Sequence, residues 1–570
     1  MKNTIIKTFQ DIKNKKYKKK IFLGVHCNSY DYTERKLYDF ETGTKHYWDD
    51  YNVFIKDNDY LEKLYERLLG NLCFSLNKFH ECKKSKLYWE ILLGPWLIYF
   101  CINIFDRWKN IEKLSSSENF STEINESLKK FFVLNDIQEY KKVLASETYN
   151  HYIFSKILIF LKDKKKIKIE FFKTNRNFDD DIPIRMKKKK NKKTILKTFI
   201  RNIIIKILKF LTVNQKILIS KNYLSAMQNL KINLRLFQIP TLYPIDINFQ
   251  KLLNYKKREN FIFNFDHKNL FENFLANELT NHLPKVFIEK FDSMNKLVDK
   301  SNLSKKPKLM FLSNFFSNTF LSFYCAQKRE EGSKLILSQH GGCYGMYDSH
   351  WNENFEIKIS NKFLTYGWED LKYKNKTCPF GIMKNIHSSY GKNFKNNDKL
   401  LFIVRSRSKF INKLDSSARS NQNYDYLNNC YDFLQKLNKS LKRKTLVRLR
   451  DIDLGWAELP RFVEKFPNLE YDHGVSNIFK LMDSSRIVVC TSLTTSYLES
   501  LMMNIPTVVI SNYNIEPMRN EAKEYLNLLI QSKILHFSPV DAAKHIERVW
   551  ENVDDWWLSE EVQKNINKFC

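Results

Sequence analysis

KLILSQHGGCYG, residues 334–345, is the stretch on which the fold reading turns. Leu335, Ile336, Leu337 and Ser338 form a short run with the length and character of a buried strand. Gln339 and His340 stand where that strand ends, and Gly341 and Gly342 follow. A glycine pair lets the backbone take up positive φ and approach a ligand closely. In open α/β sheets, ligands bind just beyond the carboxyl ends of strands. The stretch therefore reads as a site, with an imidazole and an amide beside bare backbone N–H groups. A tight turn with His340 satisfied in the core would use the same residues, and both readings stand at this point.

The segments before it favour a site. KLMFLSN (308–314) is a strand with Asn314 at its carboxyl end, 318–331 is a helix, and Gly332 is placed to cap it. Strand, helix, strand at this spacing is a βαβ unit. Its topology brings Asn314, Gln339 and His340 to one edge of a parallel sheet. KILIS (216–220) and 363–368 read as further strands, and Tyr344 and Glu356 lie near the glycines in sequence.

Towards the N-terminus, KIFLGVHCN (20–28) reads as a first strand running into a polar turn. Leu61, Leu64, Tyr65, Leu68, Leu69, Leu72 and Leu76 recur with helical period over 60–79. ILLGPWLIYFCINIF (91–105) would make a helix of roughly 22 Å, short of the ~30 Å hydrocarbon core of a membrane. It reads as a buried helix with Gly94 and Pro95 as a break or start. Residues 110–165 read as polar and helical, and 271–298 as one long helical region. Asp179, Asp180 and Asp181 precede Pro183 and read as solvated surface. KKKKNKK (187–193) opens a basic amphipathic stretch that continues to about 213. That stretch fits a helix lying on an anionic membrane, and equally a core helix beside a solvated lysine loop.

After a polar linker at 371–398, a second α/β domain is expected over 399–540, with a helical tail over 541–570. LLFIV (400–404) is a buried strand, and Arg405 and Arg407 follow at its carboxyl end as a phosphate cradle. The strand at 445–451 ends in Arg450 and Asp451. RIVVCTSLTTSYLESLMMNIPTVVI (486–510) reads strand, polar turn, helix, strand. There Ser492, Thr494 and Thr495 can hold an anion at a helix start, and Glu499 can reach a ribose hydroxyl. A capped structural helix is the plainer alternative.

A chain of 570 residues exceeds one core. Its formal charge of +32 suits an anionic partner such as nucleotide, lipid headgroup or nucleic acid. Its richness in Lys, Asn, Ile and Phe also fits a coding bias toward A and T. No recognisable nucleic-acid motif accompanies the charge, so nucleic acid is not expected as a partner. The ten cysteines include no CxxC and no zinc spacing, so no metal site is expected. They read as reduced thiols, and the first twenty residues lack an apolar signal region. A cytoplasmic protein is expected, with peripheral contact on the inner face of the cell membrane through 187–213 as one option.

Two Rossmann-like domains facing across a cleft is the GT-B glycosyltransferase plan, and 492–509 looks like the donor-nucleotide element of its second domain. More closely, the chain resembles a bacterial family of surface-carbohydrate transferases. The shared features are HYWDD (46–50), LNxxH (76–80), YWxIxxGPWL (88–97), Asp106-Arg107-Trp108, Ser313-Asn314-Phe315, QHGGxYG (339–345), TxGW (365–368) and the DWW near the end. Asn361 stands where that pattern would place Asp. The resemblance implies an α/β fold of GT-B type, with an acceptor-side domain over 1–370 carrying a helical insertion at about 50–215. It implies a metal-independent glycosyltransferase with no cofactor, in surface-polysaccharide or O-antigen biosynthesis. Its donor is a nucleotide-sugar, a CMP-linked acidic sugar being favoured, and its acceptor a glycan or lipid-linked glycan. A CDP-polyol phosphotransferase, or a non-catalytic basic protein binding membrane or nucleic acid, is the alternative.

For such a transferase, His340 is the expected catalytic group, because an ordinary imidazole exchanges protons near neutrality. Glu356 is expected as base or nucleophile, with Glu90 behind it. Asn314, Gln339, Gly341, Gly342 and Tyr344 would line the cleft. Arg405, Arg407, Arg450, Asp451, Ser492, Thr494, Thr495 and Glu499 would hold the donor.

Overall fold

A computed structural model describes residues 3–12, 19–32, 34–40, 45–125, 133–174, 209–241, 254–384, 386, 394–511 and 516–570. Three parallel sheets organise them. The first has four strands in the order Lys20–Phe22, Asn3–Ile6, Asn119–Asn125, Lys168–Thr174. The middle sheet has five, in the order Thr377–Pro379, Lys362–Thr365, Lys334–Ser338, Leu309–Leu312, Ile217–Ile219. The third has six: Glu470–Asp472, Thr445–Arg448, Leu400–Ile403, Ile487–Cys490, Thr507–Ile510, Leu535–His536.

Numbered along the chain, the third sheet runs 3-2-1-4-5-6, the doubly wound order. Its direction reverses between Leu400–Ile403 and Ile487–Cys490, which pair in parallel register from Leu400 opposite Ile487 to Ile403 opposite Cys490. The carboxyl ends flanking such a reversal form the usual ligand crevice. Every residue of Ile487–Cys490 and Thr507–Ile510 is buried, as central parallel strands require. The expected α/β architecture is therefore present, and the helix Thr319–Glu330 with Gly332 at φ +96° after it joins two strands of the middle sheet as expected.

Several boundaries differ from expectation. Residues 1–370 contain two sheets rather than one, and 50–215 is no purely helical insertion, since it supplies Asn119–Asn125 and Lys168–Thr174 to the first sheet. The linker begins later than residue 371, because Thr377–Pro379 adds an edge strand to the middle sheet. The 271–298 region is two helices, Leu270–His282 and Phe291–Asp299, with Pro284 between them. Asp179–181 and nearly all of 187–213 lie outside the described residues.

Gly94 and Pro95 do not break a helix but sit inside Lys86–Glu112. Among the described residues this is the one helix long and apolar enough to cross a membrane, yet it is buried within the protein. A Cβ on Gly94 would lie 2.5 Å from the Phe355 ring and 2.8 Å from the Tyr65 hydroxyl. The missing side chain is what lets Tyr51–Phe79 and Trp351–Ile359 close on this helix. Glu90 is used here too, accepting from Lys358 Nζ at 2.6 Å and the Tyr65 hydroxyl at 3.3 Å.

The segment after Leu400–Ile403 ties the third sheet to the first. Lys409 is buried against Glu147, and its Nζ donates to the Asn28 carbonyl at 3.3 Å. Arg107 donates to the Ile411 carbonyl at 2.5 Å, and the Arg419 guanidinium lies 4.0 Å from the centre of the Phe54 ring.

Candidate active site

His340 stands at the carboxyl end of Lys334–Ser338, held from one side. Its Nε2 lies 2.9 Å from Glu356 Oε1 and 2.9 Å from the Tyr344 hydroxyl. That hydroxyl also donates to the same carboxylate oxygen, at 2.8 Å. Glu356 is fully buried on Trp351–Ile359, and its Oε2 has no hydrogen-bond partner among the described residues. Burial and the Glu356 charge keep the Tyr344 hydroxyl protonated, well above the ordinary tyrosine range. An ionised carboxylate only accepts, so this pattern assigns the imidazole proton to Nε2. Nδ1 is then the basic nitrogen, and the ring is 16% exposed.

Neither glycine after His340 makes a left-handed turn, and Gly342 serves a close contact instead. Gly342 N–H donates to Thr495 Oγ1 at 3.1 Å. A Cβ on Gly342 would lie 2.5 Å from the Thr494 carbonyl oxygen and 2.9 Å from Thr495 Cα. The loop of the middle sheet thus rests directly on the start of Thr495–Met502, the helix following the third sheet's reversal point. Ser492 Oγ lies 3.2 Å from Thr494 Oγ1 there, and Thr494 makes no side-chain cap to the helix. The two candidate elements, 153 residues apart in sequence at this contact, form one place.

Gln339 is not open to a ligand. Its side chain donates to the Gly341 carbonyl at 2.8 Å and accepts from Tyr366 N–H at 2.9 Å and Trp368 Nε1 at 2.7 Å. It fixes the loop against the TxGW segment, where Trp368 also packs on Gly345. Asn314 stands beside the cleft: among the described residues its buried Oδ1 has no partner, and its side chain bonds that of Tyr223.

The cations expected as a phosphate cradle are mostly engaged. Arg405 is buried, pairs with Glu516, and lies 4.3 Å over the Tyr426 ring, but its Nε and Nη2 have no partner among the described residues. These atoms line a small recess with Cys430, Thr491 and Ser511 at the reversal point. Arg407 pairs with Asp415 at 3.0 Å, and this carboxylate holds its guanidinium charged against the cost of burial. Arg450 and Asp451 follow Thr445–Arg448, on the side of Leu400–Ile403 away from Thr494. Glu499 is taken by Lys384 at 2.5 Å.

Three further groups join the site. The Tyr223 ring lies 6.5 Å from the His340 ring, and Lys384 Nζ lies 5.4 Å from the centre of the Tyr223 ring. Tyr223 follows the strand Ile217–Ile219, so the rule that points to strand ends could have found it. Tyr366 sits close to Tyr223 and Glu499. Behind them, Arg519 of the third-sheet unit grips Glu353 and reaches Asp370 at 3.3 Å, and Gly345 N–H donates to Glu353 at 2.8 Å. Glu353 and Arg519 gave no local sequence signal, since their pairing depends on how the sheets meet. Among the described residues, no group of three or more His, Cys, Asp or Glu side chains is placed to hold a metal ion.

A family model described as LIC12162 family transferase matches residues 4–570. No curated protein matches the chain. Among solved structures, a mutant of the Thermobaculum terrenum O-GlcNAc transferase is similar at a TM-score of 0.26 and 9% identity, over 63% of this chain and 66% of that one. A likeness that slight carries no argument about fold or activity.

Proposed function

Because the chain belongs to the LIC12162 family of transferases, we propose that it moves a sugar from a nucleotide-activated donor to a glycan or lipid-linked acceptor, as a GT-B type glycosyltransferase. The observation that carries this reading is the contact of Gly342 with Thr495. It sets a basic imidazole nitrogen beside the reversal point of a doubly wound sheet. A transferase of this kind needs both things in one place: a base for the acceptor hydroxyl and an anion site for the departing phosphate.

In this reading His340 Nδ1 takes the proton of the acceptor hydroxyl as that oxygen attacks the anomeric carbon. Glu356 and Tyr344 hold the ring and stabilise the imidazolium that forms. The bond to the nucleotide breaks, and the developing phosphate charge meets the helix start at Thr495 with the Ser492 and Thr494 hydroxyls. Arg405 has unpaired donors for the nucleotide, and Arg407 contributes its charge. These tasks fall to the chain's own groups, without a metal ion. Tyr223 and Asn314 would bound the acceptor side.

A CMP-activated acidic sugar is the donor we propose first. Thermal shifts with CMP, CDP, UDP, GDP and ADP test it. Ligand at ~100-fold above its Kd should add ~2.7 kcal/mol of stability. A preferred shift with CMP supports the acidic-sugar donor, and a preference for CDP points to a polyol-phosphate donor at the same cleft. No shift with any nucleotide would count against the transferase reading.

A further inference from the structure

The helix Ala226–Arg235 is built inside out. Its inward positions are polar and hydrogen-bonded: Asn233 is buried, donating to the Asn229 carbonyl at 2.7 Å and accepting from Gln238 at 2.9 Å. Gln238 also donates to the Ile217 carbonyl at 2.9 Å, and Asn229 and Asn222 bond each other. Its outward positions are apolar. Met227, Leu230 and Leu234 are 59%, 38% and 58% exposed, and Phe237 just beyond the helix is 99% exposed. The spacing of 227, 230, 234 and 237 places them in one row. Phe237 also sits at φ +53°, a left-handed position that disfavours a bulky residue and is usually given to Gly or Asn at a helix end.

A helix in water would turn these faces the other way. We propose that this face docks on an anionic lipid surface. Lys221, Lys231 and Arg235 are exposed around the apolar row, and residues 220–241 contain no Asp or Glu at all. Among the described residues, no carboxylate is ion-paired with those three cations. An apolar row flanked by unopposed cations is the pattern of a helix lying in a headgroup layer. A second copy of the chain would bring the same cations against themselves, which disfavours self-association here.

The placement connects this face to the cleft. Ser225 caps the helix, and Tyr223, two residues earlier, walls the His340 site. Resting on the transferase reading, an acceptor anchored in the same membrane would reach His340 past Tyr223.

Vesicle co-sedimentation of the full chain tests the docking without any nucleotide, so its failure is separate from that of the transferase reading. The probes are phosphatidylcholine vesicles with and without phosphatidylglycerol. The full chain should bind the anionic vesicles. The triple variant Met227→Gln, Leu234→Gln, Phe237→Asn should lose about 100-fold in binding while melting no earlier than the parent. Lys231→Gln with Arg235→Gln should lose the preference for anionic vesicles. Equal binding by the triple variant, or no binding by the full chain, would overturn the proposal. Loss of a dimer in the triple variant with vesicle binding intact would overturn it in favour of self-association.

Discussion

Gly342 and Thr495 meet backbone to side chain at 3.1 Å, joining the end of a strand in the middle sheet to the start of a helix in the third. No side chain fits between them, since a Cβ on Gly342 would fall 2.5 Å from the Thr494 carbonyl oxygen. Neither sheet edge alone has both a positioned imidazole and a doubly wound crevice.

Gly342→Ala should therefore separate the two edges. Overpacking against backbone costs about 1–3 kcal/mol, and here it also displaces His340 from the crevice. The expected result is a lower melting temperature together with a loss of turnover larger than that of a surface glycine such as Gly70 replaced by Ala. A variant that melts and turns over like the parent would show that the contact is incidental.

Glu356→Gln keeps the shape of the group but lets its amide donate where the carboxylate only accepts. The His340 ring then loses its imposed tautomer and the counter-charge for its imidazolium. A fall in kcat of about 10²–10⁴-fold with little change in donor KM is expected from the usual size of acid–base contributions. Tyr344→Phe, which keeps the carboxylate, should cost less. Steady-state kinetics with a soluble acceptor reads both.

Burial pushes the Glu353 carboxyl up to about 7, against the pull of Arg519 and the Gly345 N–H. An unfolded glutamate titrates near 4.5, so between the two values the native state holds a proton that the unfolded chain has released. This stabilisation is complete below about pH 4.5 and is lost as the pH rises through about 7; the difference is worth roughly 3 kcal/mol. Arg519→Met leaves the ionised carboxylate buried without its partner, so its penalty should grow from pH 5 to pH 8. Denaturant midpoints across that range check the sign, and a penalty that shrinks with pH would contradict it.

Among the described residues, Arg405 Nε and Nη2 find no hydrogen-bond partner beside the third-sheet crevice. Arg405→Lys retains the charge beside Glu516 but removes the planar fork. Nucleotide stabilisation should fall by about 1.4 kcal/mol or more, a tenfold weaker Kd, while the unliganded protein keeps most of its stability. An unchanged nucleotide shift would place the nucleotide elsewhere.

The middle and third sheets were legible because their strands are apolar runs with polar groups at the ends. The unit around residues 309–338 and the strand–helix–strand at 487–510 were readable from that pattern alone. The first sheet was hidden by its strands: Asn119–Asn125 and Lys168–Thr174 are too polar to stand out from the surrounding helices. At the site, His340 and Glu356 stand out as residue types, but that one orients the other follows only from Trp351–Ile359 folding back under the loop. Gln339 shows the opposite case. Its place beside His340 suggested a ligand contact, whereas Tyr366 and Trp368 of TxGW occupy its oxygen and the Gly341 carbonyl takes its amide. The arginines after Leu400–Ile403 carry the right charge, but Glu516 and Asp415, which come from other turns of the chain, occupy them.

Single-turnover release of nucleotide from a nucleotide-sugar, compared between the parent and His340→Ala, asks whether the imidazole is the base of the transfer. Both proteins should show the same thermal shift with the bare nucleotide, because the imidazole is not assigned to its binding. The parent should transfer sugar, and the variant should be slower by about 10²-fold or more. Near-parental transfer by His340→Ala, with its fold intact, would remove His340 from the reaction.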